Sequence, residues 1–272
     1  MARERTVVKG IVLRGVDTKE SDRILTVLTA ELGKVAVVAK GARSRRSRIT
    51  AATQLLVYSD MVLSESHGWQ ILSEANTIAL FDGVRQDVEL LSLASYFAEL
   101  TESVTLEGTE SGEILSLLLN ALYALGELHK PPEQVKAAFE LRLMSLVGFA
   151  PLLDGCAVCG EENPAEPVLD IRGGVLRCRR CGGENALSLT PAALAAMRHV
   201  VYGEAKRLYS FTLPPEDQRR MGLVAESYVR AMLERDFRTL DFYKSLRVMS
   251  STPTEGKLQT ISNILPKIYG AY

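Results

Sequence analysis

The chain has 272 residues, 47% of them apolar and 24% charged, with four cysteines and a formal net charge of −1. That composition excludes a disordered or fibrous polypeptide and leaves room for two or three modules. The near-neutral total hides a division by segment. Residues 1–48 carry twelve Lys/Arg against five Asp/Glu, residues 49–150 four against fourteen, and residues 151–272 sixteen against fourteen. The N-terminal segment therefore offers a surface for polyanions that a global charge would conceal.

In chain order, residues 1–82 read as a β-rich module. Thr6–Val16, Arg23–Thr29 and Lys34–Lys40 are dense in Val, Ile and Leu, with a turn at Glu31-Leu32-Gly33. Gln54–Ser64 and Trp69–Phe81 follow, joined by Glu65-Ser66-His67-Gly68. Five short strands with turn signals between them predict a closed OB-type barrel. The opening MARERTVVKG lacks an apolar h-region, so no secretory signal is expected.

From Asp87 the period changes to helical spacing. Helices are predicted over Asp87–Leu106, Glu110–His129 and Glu133–Val147. The second is apolar nearly all round and is expected to be central. It includes the longest apolar stretch, Ile114–Leu125, which is too short to span a bilayer. Leu189-Thr190-Pro191 restarts the pattern after an insert at 151–188, with Thr190 as N-cap and Pro191 at the first helical position. Further helices are expected at Glu216–Glu234 and Leu240–Met249. The polar stretch 250–272 is expected to be a flexible tail. The fold class is thus α+β multidomain: a barrel (1–82), then a helical domain in two parts (83–150 and 189–249) around the insert.

That insert holds all four cysteines, as two Cys-x-x-Cys pairs, Cys156/Cys159 and Cys178/Cys181, separated by eighteen residues. This spacing is a zinc signature, since each pair aims two thiolates from a tight loop at one metal. Gly155, Gly160, Gly182 and Gly183 flank the ligands, where knuckles need residues tolerant of positive φ. Arg177, Arg179 and Arg180 would favour thiolates over thiols. Redox dithiols would need a thioredoxin-like βαβ context, and disulfides an oxidising compartment. One structural Zn2+ per chain is the expectation. An all-thiolate shell leaves no open position for catalysis.

A second constellation is Lys40-Gly-Ala-Arg43-Ser-Arg45-Arg46-Ser-Arg48, with five cations and no acid in nine residues. With Lys34, these residues form the expected nucleic-acid-binding set, Lys34, Lys40, Arg43, Arg45, Arg46 and Arg48, through phosphate contacts and counterion release. Tyr58, Trp69 and Phe81 are read as core aromatics more readily than as stacking platforms. His67, His129 and His199 lie apart from any cysteine or carboxylate cluster. Asp17, Glu20 and Asp22 read as a solvated hairpin with Asp22 beside Arg23. No nucleophile or phosphate-loop motif is present, so no enzyme is expected. The alternative weighed is a nucleic-acid-modifying enzyme that uses the barrel to deliver substrate.

The stretches GIVLRGVDTKESDRILTVLT (10–29), GKVAVVAKGARS (33–44), LVGFAPLLDGCAVCG (146–160) and LRCRRC (176–181) resemble the RecO family of bacterial recombination mediators. The resemblance spans essentially the whole chain. It implies an N-terminal OB-fold, a helical domain and a zinc insert. It also implies binding of single- and double-stranded DNA, strand annealing and help in loading recombinase onto strands coated with single-strand binding protein. The implied partners are RecR, the acidic C-terminal tail of single-strand binding protein and, in some bacteria, RecF, in the cytoplasm at the nucleoid. Some members lack the cysteines; this chain has all four. For the acidic tail, the expected rim cations are Arg198, Lys206 and Arg207, interleaved with apolar helix positions.

Overall fold

A computed structural model describes residues 5–250. The expected tail lies outside the described residues, apart from Ser250, which ends the last helix. The chain divides into two units that do not follow chain order. One holds the barrel with residues 85–110 and 237–250; the other holds 81–84 and 111–236.

The first unit is built on five strands: β1 (Arg5–Thr18), β2 (Asp22–Thr29), β3 (Lys34–Ala39), β4 (Tyr58–Ser66) and β5 (Trp69–Ala79). They close in the order β1-β2-β3-β5-β4, with β4 returning to β1 and a parallel β3–β5 contact. This is the OB-type barrel. The long β1 pairs with β2 and β4, and an irregularity between Val12 and Arg14 bends it between those partners. Period-two alternation sends Val8, Val12, Leu25, Val27, Val35, Val37, Met61, Leu63 and Leu72 inward to fill the barrel. Gly33, in the turn before β3, has φ +64, and a Cβ there would lie 2.3 Å from the Leu106 carbonyl oxygen. Only glycine fits, which explains the turn signal.

After the short α1 (Asp82–Arg85), helix α2 (Val88–Val104) is capped by Asp87, whose carboxylate accepts from Glu89 and Leu90 N–H at 2.8 and 3.0 Å. Helix α7 (Arg238–Ser250) packs on α2. Tyr96 and Phe237 meet edge-to-face at 5.6 Å, and Glu99 accepts from Thr239 N–H at 3.1 Å. Chain order places both helices in the helical domain. Packing of α2 on β1, and of α7 on α2, groups them with the barrel instead.

The second unit contains α3 (Gly112–Gly126), α4 (Pro132–Leu146), α5 (Pro191–Tyr202) and α6 (Pro215–Leu233). It also holds a small sheet of β6 (Pro167–Asp170), β7 (Val175–Cys178) and β8 (Ala186–Ser188), ordered β7-β6-β8. The central helix is α4, not α3. It packs on α3, α5 and α6, and even Gln134, Lys136 and Glu140 are buried. By contrast α3 keeps an exposed stripe of Glu113, Ser116, Asn120 and Tyr123. Thr190 caps α5 as expected, accepting from Ala193 N–H at 3.1 Å with Pro191 at its first position. Among the described residues no helix is long and apolar enough to cross a membrane.

Candidate metal centre and nucleic-acid interface

Two tight turns build the metal centre. In the first, Gly160 N–H donates to Cys156 O at 2.8 Å; in the second, Gly182 and Cys181 N–H donate to Cys178 O, each at 3.0 Å. Gly160 and Gly182 close these turns with φ of +75 and +48. Gly155 and Gly183, also expected in that role, do not take positive φ. The second pair hangs from the end of β7, so the sheet sets its position.

All four Sγ atoms lie within 4.8 Å of one another, and Cys159 and Cys178 are 3.8 Å apart. A tetrahedron with about 2.3 Å metal–sulfur bonds has edges of about 3.8 Å. A disulfide needs about 2.05 Å, and all four cysteines are free. Burial pushes the Cys156 thiol up, but N–H groups of Cys159, Cys178 and Val158 outweigh it and bring it down to about 6. Cys181, hydrogen-bonded to the sulfurs of Cys178 and Cys159, is pushed up to about 12. Four adjacent sulfurs cannot all ionise alone, and a divalent cation supplies the charge that lets them. Cys156, Cys159, Cys178 and Cys181 therefore form a metal site, of the closed, structural kind.

The three arginines near the cage are committed within the module. Arg177 pairs with Asp170 at 2.9 Å, Arg179 with Glu166 at 2.9 Å and Arg180 with Glu161 at 3.3 Å. Arg180 also faces the Cys178 sulfur: Glu161 first, and then Cys178, raise its pKa.

Arg198, expected at a peptide rim, is an internal clamp. From α5 it donates to Leu153 O at 2.8 Å, Asn163 Oδ1 at 2.7 Å, Asp154 O at 3.1 Å and Glu162 O at 2.5 Å. It thereby holds both flanks of the first cysteine pair. Lys206 and Arg207 stand exposed on the 3-10 turn Ala205–Arg207. Replacing Arg198 by Ala is expected to cost about 3 kcal/mol of local stability. Metal release to a chelator should then be faster than in the parent protein, and an unchanged release rate would reject the clamp.

In the barrel unit, the basic loop leaves β3 at Lys40 and is tied at its base by the first hairpin. Asp22 accepts from Gly41 N–H at 2.8 Å, and Asp17 pairs with Arg23 at 2.8 Å and Arg43 at 3.3 Å. The expected Asp22–Arg23 pairing is thus replaced by Asp17–Arg23, and the hairpin acids anchor the loop. Lys40, Arg45, Arg46 and Arg48 are exposed, and the three arginines have no acidic partner among the described residues. Lys34 is not with them. It starts β3, about 20 Å of strand away, and its Nζ donates to Glu102 O at 2.8 Å. Trp69 is not core: at 50% exposure it stands beside Lys40 on the rim of a surface groove.

A closed OB-type barrel with a basic loop, together with a helical unit carrying a closed four-thiolate centre, defines the class: an OB-barrel protein with a structural metal module. Residues 1–81 match the family model "Recombination protein O N terminal" and residues 85–241 match "Recombination protein O C terminal". Curated relatives called DNA repair protein RecO are similar over most of the chain. The protein of Acetivibrio thermocellus is 32% identical, covering 87% of this chain and 95% of its own length. That of Symbiobacterium thermophilum is 34% identical over 88% and 97%, and that of Exiguobacterium sibiricum 36% identical over 81% and 89%. The chain belongs to the RecO family of DNA repair and recombination proteins.

Proposed function

We propose that this chain is a recombination mediator without catalytic turnover. It binds single- and double-stranded DNA, anneals complementary strands and helps load recombinase onto strands coated with single-strand binding protein. The metal is Zn2+, because a four-thiolate tetrahedron suits it and needs no redox chemistry. RecR, the acidic tail of single-strand binding protein and RecF are the partners that family membership suggests, at the nucleoid in the cytoplasm. With Arg198 engaged, Lys206 and Arg207 are the remaining cations of the set expected to meet that tail.

The observation that carries the DNA reading is the loop 40–48, whose exposed Arg45, Arg46 and Arg48 have no acidic partner among the described residues. Cations held this way displace condensed counterions from the phosphates, which gives salt-sensitive, sequence-tolerant affinity. Replacing Arg45, Arg46 and Arg48 together by Gln is expected to weaken binding of all sequences alike. The slope of log affinity against log salt should flatten by about one unit for each phosphate that the variant no longer neutralises. Unchanged affinity and slope would move the site off this loop.

A further inference from the structure

On the outer face of the barrel, Ile24, Val38 and Ile71 form one row across β2, β3 and β5, since Ile24 pairs with Val38 and Val38 with Ile71. Their neighbours Leu25, Val37 and Leu72 point into the core, so this row is not needed to fill it. Outward positions on a barrel are ordinarily polar. Here they floor a groove of about 290 Å³, with Trp69 and Lys40 among its walls. Two loops flank it, the β1–β2 turn with Lys19 and the β4–β5 turn with His67. Trp69 lies two residues before Ile71 on β5 and shares its face. Asp22, the acid in the wall, already accepts from Gly41 N–H and lies 3.9 Å from Lys19 Nζ.

We infer that this groove takes an unpaired nucleobase stacked on Trp69, with Lys19 and Lys40 at the flanking phosphates. The inference rests on the nucleic-acid reading above and makes this face a contact that single strands alone can form. An apolar floor with an exposed indole fits the π-face of any base, and cations at the rim fit the backbone on either side. The face between strands two and three, flanked by those two loops, is where such barrels hold oligonucleotides in general. Lys40 also begins the basic loop, so a strand seated here continues toward Arg45, Arg46 and Arg48. In a duplex the base faces are stacked on one another, so a duplex can engage the cations but not the indole.

Trp69 is the single tryptophan of the chain, so its emission reports on this groove alone. The full-length protein is titrated with a short single strand, the same sequence as a duplex, and an abasic strand of equal length. Binding is followed in parallel by anisotropy of the labelled DNA. The single strand should quench Trp69, while the duplex and the abasic strand bind with its emission unchanged. Trp69→Ala should weaken single-strand binding roughly ten- to hundredfold, Trp69→Phe should restore most of it, and duplex affinity should stay as it was. Single-strand binding that leaves Trp69 emission unchanged would overturn the inference, free the groove for another ligand such as a peptide, and leave the nucleic-acid reading standing. Equal quenching by the duplex would overturn it too, because a free base would then not be required. Absence of any DNA binding by anisotropy would overturn both.

Discussion

Replacing Cys178 with Ser is expected to strip the metal from the protein and unfold the segment around 151–188, while the barrel keeps its fold. Cys178 ends β7 and is buried, and its sulfur faces Cys159 across the cage, so its loss removes both a ligand and the link between the two turns. Serine is close to cysteine in size, so packing is nearly conserved and the change isolates ligation. The segment's own apolar content is small: Leu153, Val168, Leu169, Ile171 and Leu176 are its principal buried side chains. A module of this size depends on its metal, for which the apparent contribution in comparable zinc peptides is about 10–16 kcal/mol. Elemental analysis should give one equivalent of zinc in the parent and far less in the variant. Hydrogen exchange should show protection lost over β6 and β7 but kept over β1 to β5. Treating the parent with a strong chelator should reproduce the variant's pattern. A parent protein with under about a tenth of an equivalent of any metal would sink the zinc reading. A variant that keeps its protection would show that the sheet folds without the cage.

The features most legible in the sequence are those set by local chemistry. Two Cys-x-x-Cys pairs announce a cage because ligand spacing is short-range. The five strand runs announce a barrel, and Thr190-Pro191 announces a helix start, for the same reason. What is not legible depends on who packs against whom. Helices α2 and α7 look like parts of one helical domain in chain order, yet the Tyr96–Phe237 contact joins residues 141 positions apart, and α2 packs on β1, so both belong with the barrel. Arg198 reads as a surface cation until its carbonyl partners come from a segment some forty residues earlier. Trp69 reads as core because a tryptophan in a strand is buried more often than not. The run Trp69-Gln-Ile-Leu does not alternate cleanly, so it gives no sign of which face Trp69 takes. The exposure of Trp69, the burial of Leu72 and the pairing of Ile71 with Val38 together settle that Trp69 and Ile71 face outward. Helix α3 has the more apolar sequence, but α4 is the buried one, because its buried lysine is matched by Glu140 on its own helix and by Glu226 on α6.

That matching makes the second prediction. Lys136→Met is expected to destabilise the helical unit by about 3–5 kcal/mol. Lys136 Nζ lies 2.9 Å from Glu140 Oε1 on its own helix and 3.1 Å from Glu226 Oε2 on α6, with side-chain exposures of 3%, 0% and 15%. One lysine therefore stands between two carboxylates where α4 meets α6. Desolvating three charges is costly, and the attraction repays it only while all three are present. Methionine fills nearly the same volume, so little packing is sacrificed. Glu140, the more deeply buried of the two carboxylates, then loses the lysine 2.9 Å from it. Glu226 is better placed, because it is partly exposed and Arg230 lies 3.7 Å from it one turn along α6. This asymmetry predicts the pattern of rescue. Lys136→Met combined with Glu140→Met should recover much of the stability, since the fully desolvated carboxylate is gone and Glu226 retains its arginine. Lys136→Met combined with Glu226→Gln should recover less, because Glu140 stays buried without its lysine. Hydrogen exchange across α4 and α6 is the suitable measurement, because a chain of two units need not unfold in one step. Amide protection there should fall by roughly two to three orders of magnitude in Lys136→Met, at about 1.4 kcal/mol per tenfold. If Lys136→Met leaves that protection within about threefold of the parent, the charges contribute little and α4 is held by its apolar face alone.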